Sequence, residues 1–133
     1  MNIGKIIVLI LVSLCIVVGG FLGLNYFTNL QKYKNSIKEI SISNVDISKI
    51  PDGTYLGSYD ALRIAADVSV TVSNHKITDI KLLSHKNERG QRAEVIPKRV
   101  LEAQSLEIDA VSGATNSSKV ILKAIENALE ERK

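Results

Sequence analysis

An uncharged run of nineteen residues, Ile6 to Leu24 (IIVLILVSLCIVVGGFLGL), constrains this chain more than any other feature. As a helix rising about 1.5 Å per residue it spans roughly 28 Å, close to the ~30 Å hydrocarbon core of a bilayer. Asn25, Tyr26 and Phe27 follow it, and aromatic residues there suit the headgroup level. Residues 6–27 therefore read as a membrane helix, and 1–27 as an uncleaved anchor. A cleaved secretory signal is the competing reading, with Lys5 as a thin positive start and Val18-Gly19-Gly20 as a passable cleavage site. The run is long for a signal core, and Phe21, Leu22 and Leu24 carry it past that site, which favours the anchor. A lipoprotein at Cys15 is disfavoured by Leu14, where a small residue is expected. Gly19 and Gly23 form a GxxxG pair, a pattern common in membrane helices.

Charge divides unevenly along the chain. Residues 1–50 hold five Lys against two acidic residues, so the whole formal charge of +3 lies there. Residues 51–133 hold 12 basic and 12 acidic residues and are neutral. Their only aromatic residues are Tyr55 and Tyr59, a composition that argues against a nucleic-acid partner. Lys32, Lys34 and Lys38 read first as a solvated spacer, with contact to anionic headgroups as the alternative. They also bear on topology. A positive-inside count favours a cytoplasmic C-terminal part, whereas a signal-anchor with few residues before it favours export. The sole cysteine, Cys15, lies in the apolar run, so residues 51–133 have no disulfide, thiolate metal site or cysteine nucleophile. His75 and His85 alone do not make a metal site.

Beyond the anchor the pattern predicts a small α+β domain. Leu30, Tyr33, Ile37 and Ile40 recur at helical spacing within a polar juxtamembrane segment, so a short amphipathic helix is expected around 28–39. Ser41 to Ile50 reads as a linker, and Pro51-Asp52-Gly53 as a turn and domain boundary. The chain is thus expected to divide into an anchor at 1–27, a helix and linker at 28–51 and a domain at 52–133. Thr54 to Tyr59 is a short strand. Ala66 to Ser73 (ADVSVTVS) alternates strictly, with Ala66, Val68, Val70 and Val72 on one face, as a half-buried strand does. Asn74-His75 turns the chain into Lys76 to Ser84, with Ile80 and Leu82 inward, although His is a poorer turn residue than Gly. His85 to Gly90 (HKNERG) reads as a polar loop. Pro97 opens a helix to about Gln104 that buries Val100 and Leu101. Val120, Ile121, Ala124, Ile125, Ala128 and Leu129 form the apolar stripe of a last helix, with Arg132 and Lys133 complementing its dipole.

The segment entering that helix, Asp109 to Ser118 (DAVSGATNSS), carries the chemistry. Asn116 or Ser117 is the expected cap. Free N–H groups and the helix dipole converge there, so a phosphate would gain about 0.3–1 kcal/mol. Gly113 permits a positive φ and close approach, Ala114 keeps bulk away, and Thr115 offers a hydroxyl. Read physically, the stretch is either a cap or an anion site.

Asp109-x-x-Ser112-Gly113-Ala114-Thr115 resembles the flavinylation signature D-x-x-S/T-G-A-T/S of the FMN-binding domain family. That family includes covalent-FMN subunits of sodium-pumping quinone reductases and related electron-transfer complexes. DGTYLG at 52–57 resembles its opening strand, ADVSVTVSNHKITDIKLLSHKNERG its central hairpin, and IPKRVLEAQSLEIDAVSGATNSS its helix and flavin turn. The short chain and its Asn87-Glu88-Arg89-Gly90 loop resemble compact members rather than the pump subunits. The resemblance implies a phosphoester between FMN and Thr115, made by a flavin transferase that uses FAD. It implies Asp109, Ser112, Gly113 and Ala114 as recognition positions. Because that transferase acts outside the membrane, it also implies an extracytoplasmic domain. Asn116 and Ser117 adjoin the site, and His85 is a candidate ring contact against the plainer reading of a backbone-bonded loop residue. Tyr55 and Tyr59 read equally as core or as ring neighbours. Glu94 and Glu102 read as solvated helix faces, and Ser117 and Ser118 most simply as caps. The expected protein is a membrane-anchored electron carrier between a membrane reductase or other donor and an acceptor, rather than a stand-alone catalyst. A non-redox interaction domain and a non-covalent FMN binder are the alternatives.

Overall fold

The computed structural model describes residues 1–130 and divides into two compact units, one ending at Asn35 and the other beginning at Ser36. The first is almost entirely helix. α1, Ile3–Lys38, is long and apolar enough to cross a membrane, and none of its most apolar window is buried. The spacing had suggested a separate amphipathic helix after Phe27. No Gly or Pro interrupts residues 24–38, and the helix continues through them to Lys38.

The second unit is α+β. β1 (Gly53–Asp60), β2 (Ala65–Ser73) and β3 (Lys76–Lys86) form an antiparallel sheet in that order. The alternation in β2 turns Ala66, Val68, Val70 and Val72 inward, each at most 1% exposed. α3 (Thr115–Glu130) covers that face. Its stripe of Val120, Ile121, Ala124, Ile125, Ala128 and Leu129 is buried as the spacing predicts. Each large apolar side chain so covered contributes about 1.5–3 kcal/mol. Gly57 allows the close approach: a Cβ there would strike the Ala124 carbonyl and the Ala128 amide of α3. Arg132 and Lys133 lie outside the described residues.

β3 departs from simple alternation. Val72 pairs with Ile77, Val70 with Ile80 and Val68 with Leu82, so Thr78 and Leu83 are extra residues at register shifts. Ile77 is the buried residue of the strand, whereas Ile80 and Leu82 are half-buried. The strand also runs on through His85, which pairs with Ala66 and shares its inner face. α2 (Ile96–Ala103) starts at Ile96-Pro97 and buries Val100, with Leu101 half-buried. Gln104 ends it in the left-handed region, and its side-chain amide exchanges two 2.8 Å hydrogen bonds with the backbone of Ile77.

The segment read as a linker packs on this unit. Ile37 and Ile50 are buried. Lys123 Nζ donates to the Ser41 carbonyl at 3.1 Å, and the Ser43 amide donates to Glu126 at 3.4 Å. Asn44 accepts from Ser105 and from the Leu106 amide. These contacts join residues more than 60 positions apart, and periodicity over a short window does not register them.

Candidate functional site

The loop from Leu106 to α3 carries four of the eight residues expected at the site, and the first turn of α3 carries three more. The loop is held from within by one hydroxyl. Ser118 Oγ donates to the Ala114 carbonyl at 2.7 Å and accepts from the Val111 amide at 3.0 Å. The Ala114 amide closes the turn onto the Val111 carbonyl. Gly113 has φ +80°, the left-handed conformation that glycine adopts without a Cβ penalty. Ala114 is buried and pins the turn to the domain.

The helix begins two residues earlier than a cap at Asn116 implies, and three earlier than one at Ser117. The Ala114 carbonyl accepts from the Ser118 amide, so Ala114 holds the cap position and Thr115, Asn116 and Ser117 form the first turn. Their N–H groups have no intrahelical carbonyl by position. Ala has no side-chain acceptor, and Ser118 does the bracing that a capping Ser or Asn usually does.

The motif side chains divide by where they point. Asp109, Ser112, Gly113, Thr115 and Asn116 are exposed, whereas Ala114, Ser117 and Ser118 are buried. The hydroxyls of Ser112 and Thr115 and the carboxylate of Asp109 make no hydrogen bond or ion pair among the described residues. Ser117 Oγ is buried without a partner, against Gly90, where a Cβ would collide with it.

His85, the eighth residue, does not sit on this turn. Its side chain is 2% exposed, and Nδ1 lies 3.1 Å from Glu94 Oε1. Nε2, on the other side of the ring, is buried without a partner. Asn87 lies beside the ring and binds the Gly90 amide, and Gly90 rests on Ser117, so His85 is joined to the turn through the 87–90 loop. The reading of Glu94 as a solvated helix face gives way to this pairing, which the strand–loop–helix fold creates. Tyr55 and Tyr59 are half-buried on the inner face, and Tyr55 Oη donates to the Pro51 carbonyl at 2.6 Å. One residue escaped the sequence reading: Arg92, whose Nη1 is 3.9 Å from where a Gly113 Cβ would be. Among many charged residues, nothing in the local pattern distinguished it.

The features fit a phosphate-bearing cofactor: the N–H groups of a helix first turn, an open left-handed glycine, an exposed hydroxyl and a nearby guanidinium. They belong to a small α+β domain whose last helix opens at an exposed turn. The FMN-binding domain family model matches residues 64–130, half of the chain, and the chain belongs to that family. FMN is accordingly its cofactor. Among similar proteins, the NADH:acrylate oxidoreductase of Vibrio harveyi is 42% identical over 66 residues, which are 47% of this chain and 7% of that protein. An uncharacterized protein of Treponema pallidum (strain Nichols) is 26% identical over 87 residues, 63% of this chain and 24% of that protein. The chain thus spans at most about a quarter of either relative.

Proposed function

We propose that this protein is a membrane-anchored, extracytoplasmic electron carrier with FMN joined to Thr115 through a phosphoester. The observation that carries the reading is the unbonded Thr115 hydroxyl, exposed on the first turn of α3 beside the left-handed Gly113. The Vibrio relative, by its name an NADH:acrylate oxidoreductase, supports redox work for this kind of domain. In the attachment step, Thr115 Oγ1 attacks the phosphorus that FAD carries on its FMN half. The new O–P bond replaces the pyrophosphate bond, AMP departs, and the hydroxyl proton leaves with it. A flavin transferase supplies the catalysis, reading Asp109, Ser112, Gly113 and Ala114. Once attached, the flavin accepts and donates electrons between a membrane reductase and an acceptor. The chain's part is to hold and orient it: the first-turn amides of α3 would receive the phosphate, and Ser118 braces the turn.

The division of labour follows the chain. Residues 1–27 anchor and 52–133 bind flavin, and of the connecting residues 28–51 the stretch 41–50 packs on the flavin domain. A covalent bond suits an extracytoplasmic site, because FMN lost there could not be replaced from the cytoplasmic pool. Two measurements test the proposal. Protein made with an active transferase is expected in the membrane fraction with its N-terminal segment intact; a soluble form starting near Phe21 rejects the anchor. Its denatured gel band is expected to fluoresce as flavin, and a dark band rejects the covalent link.

A further inference from the structure

We infer that Arg92 is a phosphate-positioning residue, a guanidinium clamp on the ester that joins the flavin to Thr115. This rests on the covalent reading above and adds a residue that the flavinylation signature does not contain. Arg92 lies in the short 3-10 turn Gln91–Val95, between the sheet and α2. Its Nη1 is 3.9 Å from the Cβ position of Gly113, and no other atom outside the turn comes within 4 Å of that position. Arg92 forms no ion pair among the described residues, as Lys76, Arg89, Arg99 and Lys119 also do not, and what sets it apart from them is its reach to Gly113. An exposed guanidinium held at a turn without a carboxylate partner is placed for an anion that arrives later.

The chemistry matches. A phosphodiester keeps one negative charge and two unesterified oxygens, and a guanidinium offers paired N–H donors to such a group. The first-turn amides of α3 approach the same anion from the helix side. Lys119, one turn beyond Thr115, adds a second positive charge on that face. The acidic residues nearest in sequence are Asp109, six residues before Thr115, which the clamp must outweigh, and Glu94, two residues after Arg92, which is turned to His85. The local charge is notable because residues 51–133 are neutral as a whole.

The test uses the full chain in a phosphorus-free detergent, loaded by the transferase and FAD. Wild type, Arg92→Gln, Arg92→Lys and, as a control, Arg99→Gln on the exposed face of α2 are compared. Intact mass reports attachment, and ³¹P NMR reports the ester phosphate. The native wild-type resonance is expected to be displaced from its position in the urea-unfolded protein. Arg92→Gln should lose most of that displacement, Arg92→Lys should retain much of it, and Arg99→Gln should retain all of it. In 1 M salt, where the screening length falls to about 3 Å, the wild-type line should move toward that of Arg92→Gln. A flavin-bearing Arg92→Gln protein with the wild-type resonance overturns the clamp and leaves Thr115 untouched. A wild-type mass without flavin overturns the attachment reading and the clamp together. An Arg92→Gln protein that alone fails to acquire flavin assigns Arg92 to loading, which also overturns the clamp.

Discussion

Two tight turns in the second unit use the same backbone device for opposite ends. The hairpin turn at Asn74-His75 has both residues in the left-handed region, φ 50° and 65°. Its polar groups are tied to other parts of the domain. The Asn74 amide donates to Asp52 at 2.9 Å, and His75 Nδ1–H donates to the Ser48 carbonyl at 2.8 Å. The turn before α3 has one left-handed residue, Gly113, and is held by Ser118 Oγ and by the buried Ala114. Asp109, Ser112 and Thr115 are left facing solvent without partners. In the hairpin turn one backbone N–H, that of Asn74, and one side chain, that of His75, are tied to the fold; in the turn before α3 the side chains of Asp109, Ser112 and Thr115 are not, which suits the proposed cofactor site.

The contrast can be broken most severely at Ser118. Ser118→Ala leaves the Val111 amide without its acceptor and removes one donor to the Ala114 carbonyl. The cost is expected to be about 1–3 kcal/mol in chemical denaturation, with flavin loading reduced because the turn loses its brace. Unchanged stability would show that Ser118 does not hold the turn. A smaller effect is expected at the other turn. His75→Ala loses one exposed hydrogen bond, about 0.5–1.5 kcal/mol, and should leave flavin loading at the wild-type level. A loading defect there would erase the distinction between the two turns.

The smallest effect concerns Asp46, which belongs to the segment that His75 grips. The Ser48 hydroxyl, assisted by the Ser48 amide and Lys49, holds its carboxyl below the ordinary value of 3.8. A lowered folded-state pKa contributes stability above the unfolded value and loses it as pH falls through the folded one. Asp46→Asn should therefore differ slightly from wild type at neutral pH, and the difference should fade in acid below 3.8. A difference that grows in acid would contradict the bond to Ser48.

What was legible follows from the range of each interaction. The stripe of α3 and the alternation of β2 are local patterns, and both appear as read. The positive φ at Gly113 was legible because the residue type itself carries the permission. The cap was misplaced because Asn116 and Ser117 are good capping types, whereas a buried Ser118 four residues after Ala114 does the bracing. Ile77 was missed as the buried residue of β3 because Thr78 and Leu83 shift its register. The pairing of His85 with Glu94, the packing of 41–50 on α3, and Arg92 beside Gly113 all depend on tertiary contacts. No window of the chain contains them.

The central claim is a bond between one oxygen and one phosphorus. It is tested most directly by the intact mass of the full chain made with its flavin transferase, compared with Thr115→Val made in the same way. Thr115→Val keeps the shape and removes the nucleophile, at a stability cost no greater than a lost cap, about 1 kcal/mol. Wild type is expected to be heavier than the bare chain by one FMN less one water, and Thr115→Val to have the bare mass while remaining folded. A wild-type chain of bare mass, or a Thr115→Val chain that still carries the flavin, would contradict the account.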